Sequence, residues 1–322
     1  MIDRTLAMLD AVSPGAFVPD DQLCYDPAEI EALGHTLSRL TYGPSQIRQA
    51  LQRLGVTVVP ADPSSPVPTV DELAESFAGP GLQLDAVFDD AVLRDTLEWL
   101  TGFADEFDPP QASDDPARFA WANSPFGGAD ALAYYAFVRR HQPNTIVEVG
   151  GGAATLVALE AIGRSGLGRI VCVEPFPDAA VRAVAGQVEL IEGHAAQMPP
   201  EFLNDTLQDG DFLCIESSHA VKHESDCVHL YLRLLPQLRR SVFVQVQGIS
   251  LPETLAHADM RDRQLHWSEQ YLLYAYLLGN ARTQVLYGSR WHALHNREHL
   301  ERFTNGKTPA GGGSLWFKQA AG

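Results

Sequence analysis

What the chain lacks narrows its class. Its four cysteines, Cys24, Cys172, Cys214 and Cys227, form no C-x-x-C pair, which removes the usual zinc-ribbon and dithiol patterns. Two of them fall inside strand-like runs, so buried thiols in a reducing compartment are expected, and with them a cytoplasmic protein. No apolar run approaches the ~20 residues that a membrane span requires. The opening MIDRTLAMLDAV carries acids within its apolar part and no basic n-region, so no secretory signal is expected there. Basic charge is scarce too, and the net charge is −18. Residues 1–120 hold 21 Asp and Glu against 6 Arg and no Lys, whereas residues 121–322 hold 20 acids against 17 bases. Such a field repels phosphates, so nucleic acid is disfavoured as a partner, and the acidic half reads as a solvated surface. There is no internal repeat, no H-E-x-x-H and no Gly-Lys-Ser/Thr after a glycine loop.

What is there centres on Asn144 to Thr155, NTIVEVGGGAAT. Thr145 to Val149 is a β-branched apolar run with one acid, Glu148, the composition of a strand buried on both faces of a parallel sheet. Gly150, Gly151 and Gly152 follow at once, and Ala153 to Gly163 has the apolar spacing of a helix packing back on the sheet. A strand running through glycines into a helix lets a ligand approach bare backbone. The dinucleotide fingerprint G-x-G-x-x-G fails at its third position, where Thr155 stands. A second buried-strand run, Arg169 to Val173, ends in Glu174, 24 residues past Gly150. An acid at that strand end suits the two hydroxyls of a ribose, and Pro175 and Phe176 suit an adenine wall.

The acid-x-Gly-x-Gly pattern of Glu148, Gly150 and Gly152 resembles the first motif of class I S-adenosylmethionine (SAM) methyltransferases. The wider stretch WANSPFGGADALAYYAFVRRHQPNTIVEVGGGAATLVALEAI resembles the entry to a bacterial SAM-methyltransferase-like family with a long N-terminal cap. DFLCIESSHAVK, WSEQYLLYAYL and the closing GGGSLWFK fit the same family, and the likeness runs from about residue 54 to residue 318. It implies an α/β, Rossmann-like, seven-stranded fold behind a mostly helical cap, with the cap at 1–120 and the SAM-binding domain at 121–322. Within the cap, Asp26-Pro27-Ala28-Glu29 is a helix start, Pro44 to Leu54 is a second helix, and Thr69 to Glu72 has capping-box spacing. A further amphipathic helix covers Asp89 to Phe107, and Asp108 to Pro116 is the expected hinge.

The later strands are expected at Val188 to Ile191, Asp211 to Ile215, Val242 to Val246, Thr283 to Leu286 and Leu315 to Phe317. Ligands bind at the carboxyl ends of parallel strands in such sheets. The cofactor set is therefore Glu148, Gly150, Gly151, Gly152, Glu174, Pro175, Phe176, His194, Ala195 and Ser217. Asn123, Phe126, Gln247 and Trp267 are assigned to the substrate pocket. His219 and Glu216 are the candidates for taking a proton, with a helix-capping role as the rival for His219. Five other histidines, His223, His229, His292, His295 and His299, read as surface residues.

The departures from the family matter as well. The resemblance implies Asp where Glu216 stands, and His-x-His-Asp where the chain has Gln245-Val246-Gln247-Gly248. Two amides and a glycine are poor ligands for a hard cation, so no catalytic metal is expected. Three readings follow: methyl transfer from SAM to a small molecule of specialised metabolism; intramolecular cyclisation of SAM with release of methylthioadenosine; and a non-catalytic binding protein. The expected partner is a small-molecule substrate, with no nucleic acid, no membrane, and a homo-oligomer left open.

Overall fold

A computed structural model describes residues 26–76, 82, 84–123 and 126–322. Cys24 and the opening twelve residues lie outside them. Two compact units divide the chain: residues 1–80 with Leu255–His266, and residues 81–254 with 267–322. In the first, Asp26 caps the helix Pro27–Thr41 by accepting from the Ala28 N–H at 2.9 Å. Pro44 precedes the helix Ser45–Arg53. Thr69 and Glu72 bond each other's backbone N–H, at 2.7 and 3.2 Å, at the start of the helix Val70–Ser76. That reciprocal pair is a capping box. Neither of the first two helices has a buried residue.

The second unit is an α/β layer built on one seven-stranded sheet. Its strands are β1 (Thr145–Val149), β2 (Arg169–Val173), β3 (Glu189–Ile191), β4 (Phe212–Ile215), β5 (Val242–Val246), β6 (Thr283–Gly288) and β7 (Leu315–Gln319). The order is β3-β2-β1-β4-β5-β7-β6, parallel except for β7, which runs antiparallel to both neighbours. This is the Rossmann-like methyltransferase fold that the resemblance implied. β6 and β7 extend beyond the expected Leu286 and Phe317 because their antiparallel ladder continues to Gly288↔Leu315 and Thr283↔Gln319. The start of β1 is tied to the turn before β4: one Asp211 carboxylate oxygen accepts from the N–H groups of Asn144 and Thr145 at 2.9 and 3.0 Å.

The helix Ala129–His141 is buried from Ala129 to Val138, and its Phe137 stacks on Trp316 of β7 at 4.1 Å. The division expected at residue 120 falls inside this second unit. The helix Asp90–Ala104 buries Leu93, Leu97 and Leu100; Leu97 and Leu100 join the core cluster containing Ala131–Val138, and Leu93 joins the cluster containing Val147 and Val149. Burial of that face places it with the sheet domain. Two histidines also differ from expectation: His229 and His292 are buried, at 6% and 0% exposure. His229 Nε2 lies 2.8 Å from the Met198 carbonyl, and burial pushes His292 down to about 4. Both sit on helices whose polar positions turn inward, a fact that spacing alone does not show. Among the described residues no helix is long and apolar enough to cross a membrane.

Candidate active site

The carboxyl ends of β1, β2 and β4 meet at the three glycines, and each glycine answers a different constraint. Gly150 has φ +86°, and a Cβ there would sit 2.1 Å from the Glu216 carbonyl oxygen. A Cβ on Gly151 would meet Cys172 Sγ at 2.4 Å and Val181 at 2.9 Å. Gly152 is extended, and the nearest atom to its added Cβ is Asp178 Oδ2 at 3.8 Å. The fold therefore needs glycine at the first two positions and has room at the third.

Glu174, at the end of β2, is held by the loop it faces. Its Oε2 accepts from Gly151 N–H at 3.2 Å and its Oε1 from Phe176 N–H at 2.7 Å. Both bonds fix the carboxylate while leaving each oxygen a further lone pair. A cavity of about 580 Å³ opens here, walled by Gly150, Glu174, Pro175, Phe176, Ala195 and Ser217, with His194 beside them. Phe176 is 78% exposed and meets His194 edge to face at 5.6 Å. Exposed aromatic surface beside a cavity is what a flat heterocycle would cover.

A second cavity, of about 490 Å³, lies on the other side of the loop, walled by Gly151, Gly152, Phe126, Asp178 and residues of the segment 113–120. Glu216 lines both cavities. It reaches solvent through the cleft, yet enough protein crowds its carboxyl that burial raises its pKa; His219 opposes this, while Glu174, Asp130 and Asp178 add to it. A cleft faced by Glu174, Asp178 and Glu216 favours a cationic ligand.

Several expected site residues are elsewhere. Glu148 lines neither cavity. It is 1% exposed, and its two oxygens accept from Tyr134 Oη and Thr155 Oγ1, each at 2.6 Å. Its position on β1 turns it towards the helices on that face. Gln247 is likewise engaged, donating to Asp130 Oδ2 at 2.9 Å and accepting from Gln245 at 3.0 Å. Neither Gln247 nor Trp267 lines these cavities. Asn123 ends the short turn Trp121–Asn123.

His219 is 8% exposed with φ +57°. Its carbonyl accepts from the N–H groups of Ser268 and Glu269 at the start of the helix Glu269–Leu277. Its Nδ1 lies 2.8 Å from Glu269 Oε2, and its ring packs on Trp267 at 4.2 Å. It lines neither cavity. Glu269 also accepts from Ser217 Oγ at 2.7 Å and Tyr231 Oη at 3.0 Å.

Sequence reasoning missed Asp178 and Asp130. Asp178 lies four residues past Glu174 in EPFPD, and its carboxylate also caps the helix Ala179–Ala183. Asp130 is a lone acid in the Ala-rich run GGADALAYYAF, and it is 2% exposed. It accepts from Ser289, Gln247, and the N–H groups of Gly313 and Ser314. Among the described residues no group of three His, Cys, Asp or Glu is arranged to hold a metal ion.

Residues 147–246 match the family model described as a methyltransferase domain, a span running from β1 to the end of β5. That stretch of the second unit is thus similar to a methyltransferase domain, and the strand order of the sheet agrees with the match. An uncharacterised protein of Archaeoglobus fulgidus is 33% identical over 85 residues, 25% of this chain and 38% of that protein. The chain thus matches well under half the length of that curated relative. Among solved structures, the O-methyltransferase TomG from Streptomyces achromogenes, involved in tomaymycin synthesis and crystallised with SAM, is 16% identical with a TM-score of 0.38, covering 73% of this chain and 92% of that one. An O-methyltransferase from Bacillus cereus in complex with SAH is 15% identical with a TM-score of 0.37, again covering 73% and 92%.

Proposed function

We propose that this chain is a SAM-dependent enzyme that methylates a small molecule, without a divalent metal, in specialised metabolism of the cytoplasm. One observation carries the reading: Glu174 is pinned by two backbone N–H groups at the rim of a cavity that Gly150 also lines, and Glu216 stands at the border with a second cavity. About 580 Å³ falls in the roughly 300–1,000 Å³ range of small-molecule and cofactor sites. The residues present fit the cofactor. Glu174 offers free lone pairs to a ribose diol, Phe176 and Ala195 offer apolar surface to adenine, and the surrounding carboxylates suit a sulfonium.

SAM supplies a methyl group already activated by its positive sulfur, so the protein's task is mainly alignment. The second cavity, with Phe126 as an apolar wall, is assigned to the acceptor. Glu216 borders both cavities and is the group assigned to take the acceptor's proton. Its raised pKa brings it nearer the operating range of a general base. His219 then acts from behind, through its effect on the Glu216 carboxyl.

Calorimetry with SAM, followed by product analysis, tests this. Binding to the wild type and formation of S-adenosylhomocysteine only with an acceptor support it, as does turnover that survives EDTA. Methylthioadenosine formed from SAM alone with multiple turnovers would replace methyl transfer by cyclisation. Absence of SAM binding would sink the reading altogether.

A further inference from the structure

Thr155 stands where a dinucleotide loop has its third glycine, and the reaction just described gives it no part. It is fully buried. Its Oγ1 accepts from Gly152 N–H at 3.2 Å and donates to Glu148 Oε2 at 2.6 Å, while Tyr134 Oη donates to Glu148 Oε1 at 2.6 Å. Three side chains, from two helices and β1, thus form a relay that ends on the backbone of a glycine facing the second cavity. Packing does not fix Gly152, since nothing lies within 3.8 Å of the Cβ it lacks. The hydrogen bonds to and from Thr155 are what hold it; Thr155 N–H also donates to the Gly152 carbonyl at 3.1 Å.

A hydroxyl has one proton, so committing it to Glu148 turns a lone pair towards the Gly152 N–H. With Glu148 ionised, both hydroxyls donate to it and the relay has one polarity. Protonated, the carboxyl must itself donate, and one hydroxyl loses its place.

We propose that Thr155 is a positioning residue which, braced by Glu148 and Tyr134, holds the Gly152 backbone in the shape that admits the cofactor. The ligand in this statement rests on the SAM reading above. Burial pushes the Glu148 carboxyl up to about 7, with Glu216 adding and the two hydroxyls opposing. The groups facing it are Tyr134 and Thr155 on the helices, Cys172 on β2, Cys214 on β4, and Glu216. Loop order and affinity for a cationic ligand therefore rise together as pH rises through neutrality.

Two readouts test the clamp: the exchange protection of the Gly152 amide without ligand, and SAM affinity by calorimetry, each between about pH 6 and about pH 8. Thr155→Ser keeps the hydroxyl and should match the wild type in both. Thr155→Val, nearly isosteric, should lose about tenfold in Gly152 protection and about tenfold in SAM affinity, the usual scale of one buried hydrogen bond. Glu148→Gln should remove the pH dependence of the Gly152 protection. Unchanged Gly152 protection in a folded Thr155→Val protein overturns the proposal. Where that variant does not fold, a Glu148→Gln protein whose Gly152 protection follows pH as the wild type's does overturns it equally. If wild type fails to bind SAM, the proposed function falls, and the ligand-free exchange data still decide the clamp.

Discussion

At the Gly150 end of the sheet edge, polar groups face open space; at the Gln247 end, they face one another. Around β1 and β2, the Glu174 carboxylate is fixed by two backbone amides and keeps lone pairs directed at a cavity. Around β5, Gln245 bonds Gln247 and Ser314, Gln247 bonds Asp130, and Asp130 gathers three further donors. His219 belongs to the second kind, with its carbonyl and Nδ1 both engaged at the Glu269 helix. A carboxylate stands at each end, Glu174 at one and Asp130 at the other. A satisfied buried network rigidifies a fold, whereas a group held by part of its bonding capacity is ready for a ligand. Residue identity therefore says less about a role at this edge than how much bonding capacity remains.

Substitutions at the two ends should separate folding from binding, and the largest effect is expected at Gly150. Gly150→Val combines a positive φ with a Cβ driven into the Glu216 backbone, and roughly 3 kcal/mol or more of stability should go, read as a collapse of the melting transition. At the closed end, Asp130→Ala leaves donors from Ser289, Gln247, Gly313 and Ser314 without their acceptor. A loss of about 3 kcal/mol is expected in chemical denaturation, with SAM affinity of the folded protein within a few-fold of wild type. A large affinity loss with unchanged stability would erase the contrast.

Glu216→Gln should lower turnover by about 10²-fold, well beyond its effect on SAM affinity. Since a base must be ionised and burial raises this carboxyl, the wild-type rate should fall as pH drops through a value above the ordinary glutamate range. Turnover that survives in Glu216→Gln and vanishes in His219→Ala would exchange their assigned parts. Glu174→Ala should weaken SAM binding by about ten- to a hundredfold, the scale of a charged hydrogen bond, and calorimetry on the folded variant decides it.

The last expectation concerns Glu148 and is read as a change with pH. Its carboxyl titrates at about 7 in the folded chain against 4.5 for an ordinary glutamate. The folded state thus holds the proton more tightly, and the stability this contributes is full at low pH and lost as pH rises from about 4.5 to about 7. Glu148→Gln should therefore shrink the difference in melting temperature between about pH 5 and about pH 8. An unchanged difference would show that Glu148 does not titrate in this window.

Much of the domain could be read from residue order. The β-branched run at Thr145 to Val149, the glycines after it and the acid after β2 are local signals, and their spacing follows from the parallel unit itself. The place of Glu174 at the end of β2 is legible because a strand's end, unlike its faces, is marked by where the apolar run stops. Glu148 was misplaced for the complementary reason: motif position puts it beside the loop, while strand parity turns its side chain into the core. Gln247 and His219 looked like site residues because they follow strand ends. Their partners, Asp130 and Glu269, are 117 and 50 residues away, and no local pattern announces such pairs.

The sequence by itself determined the strand and helix periods, the need for glycine at the turn after β1, and the acidic character of the chain, since each depends on neighbours along the backbone. Only the tertiary structure decided which carboxylates are spent and which are offered. Hydrogen-bond capacity is consumed by groups brought together through folding, and the count of what is left exists only once Tyr134, Thr155, Asp130 and Glu269 have taken their places.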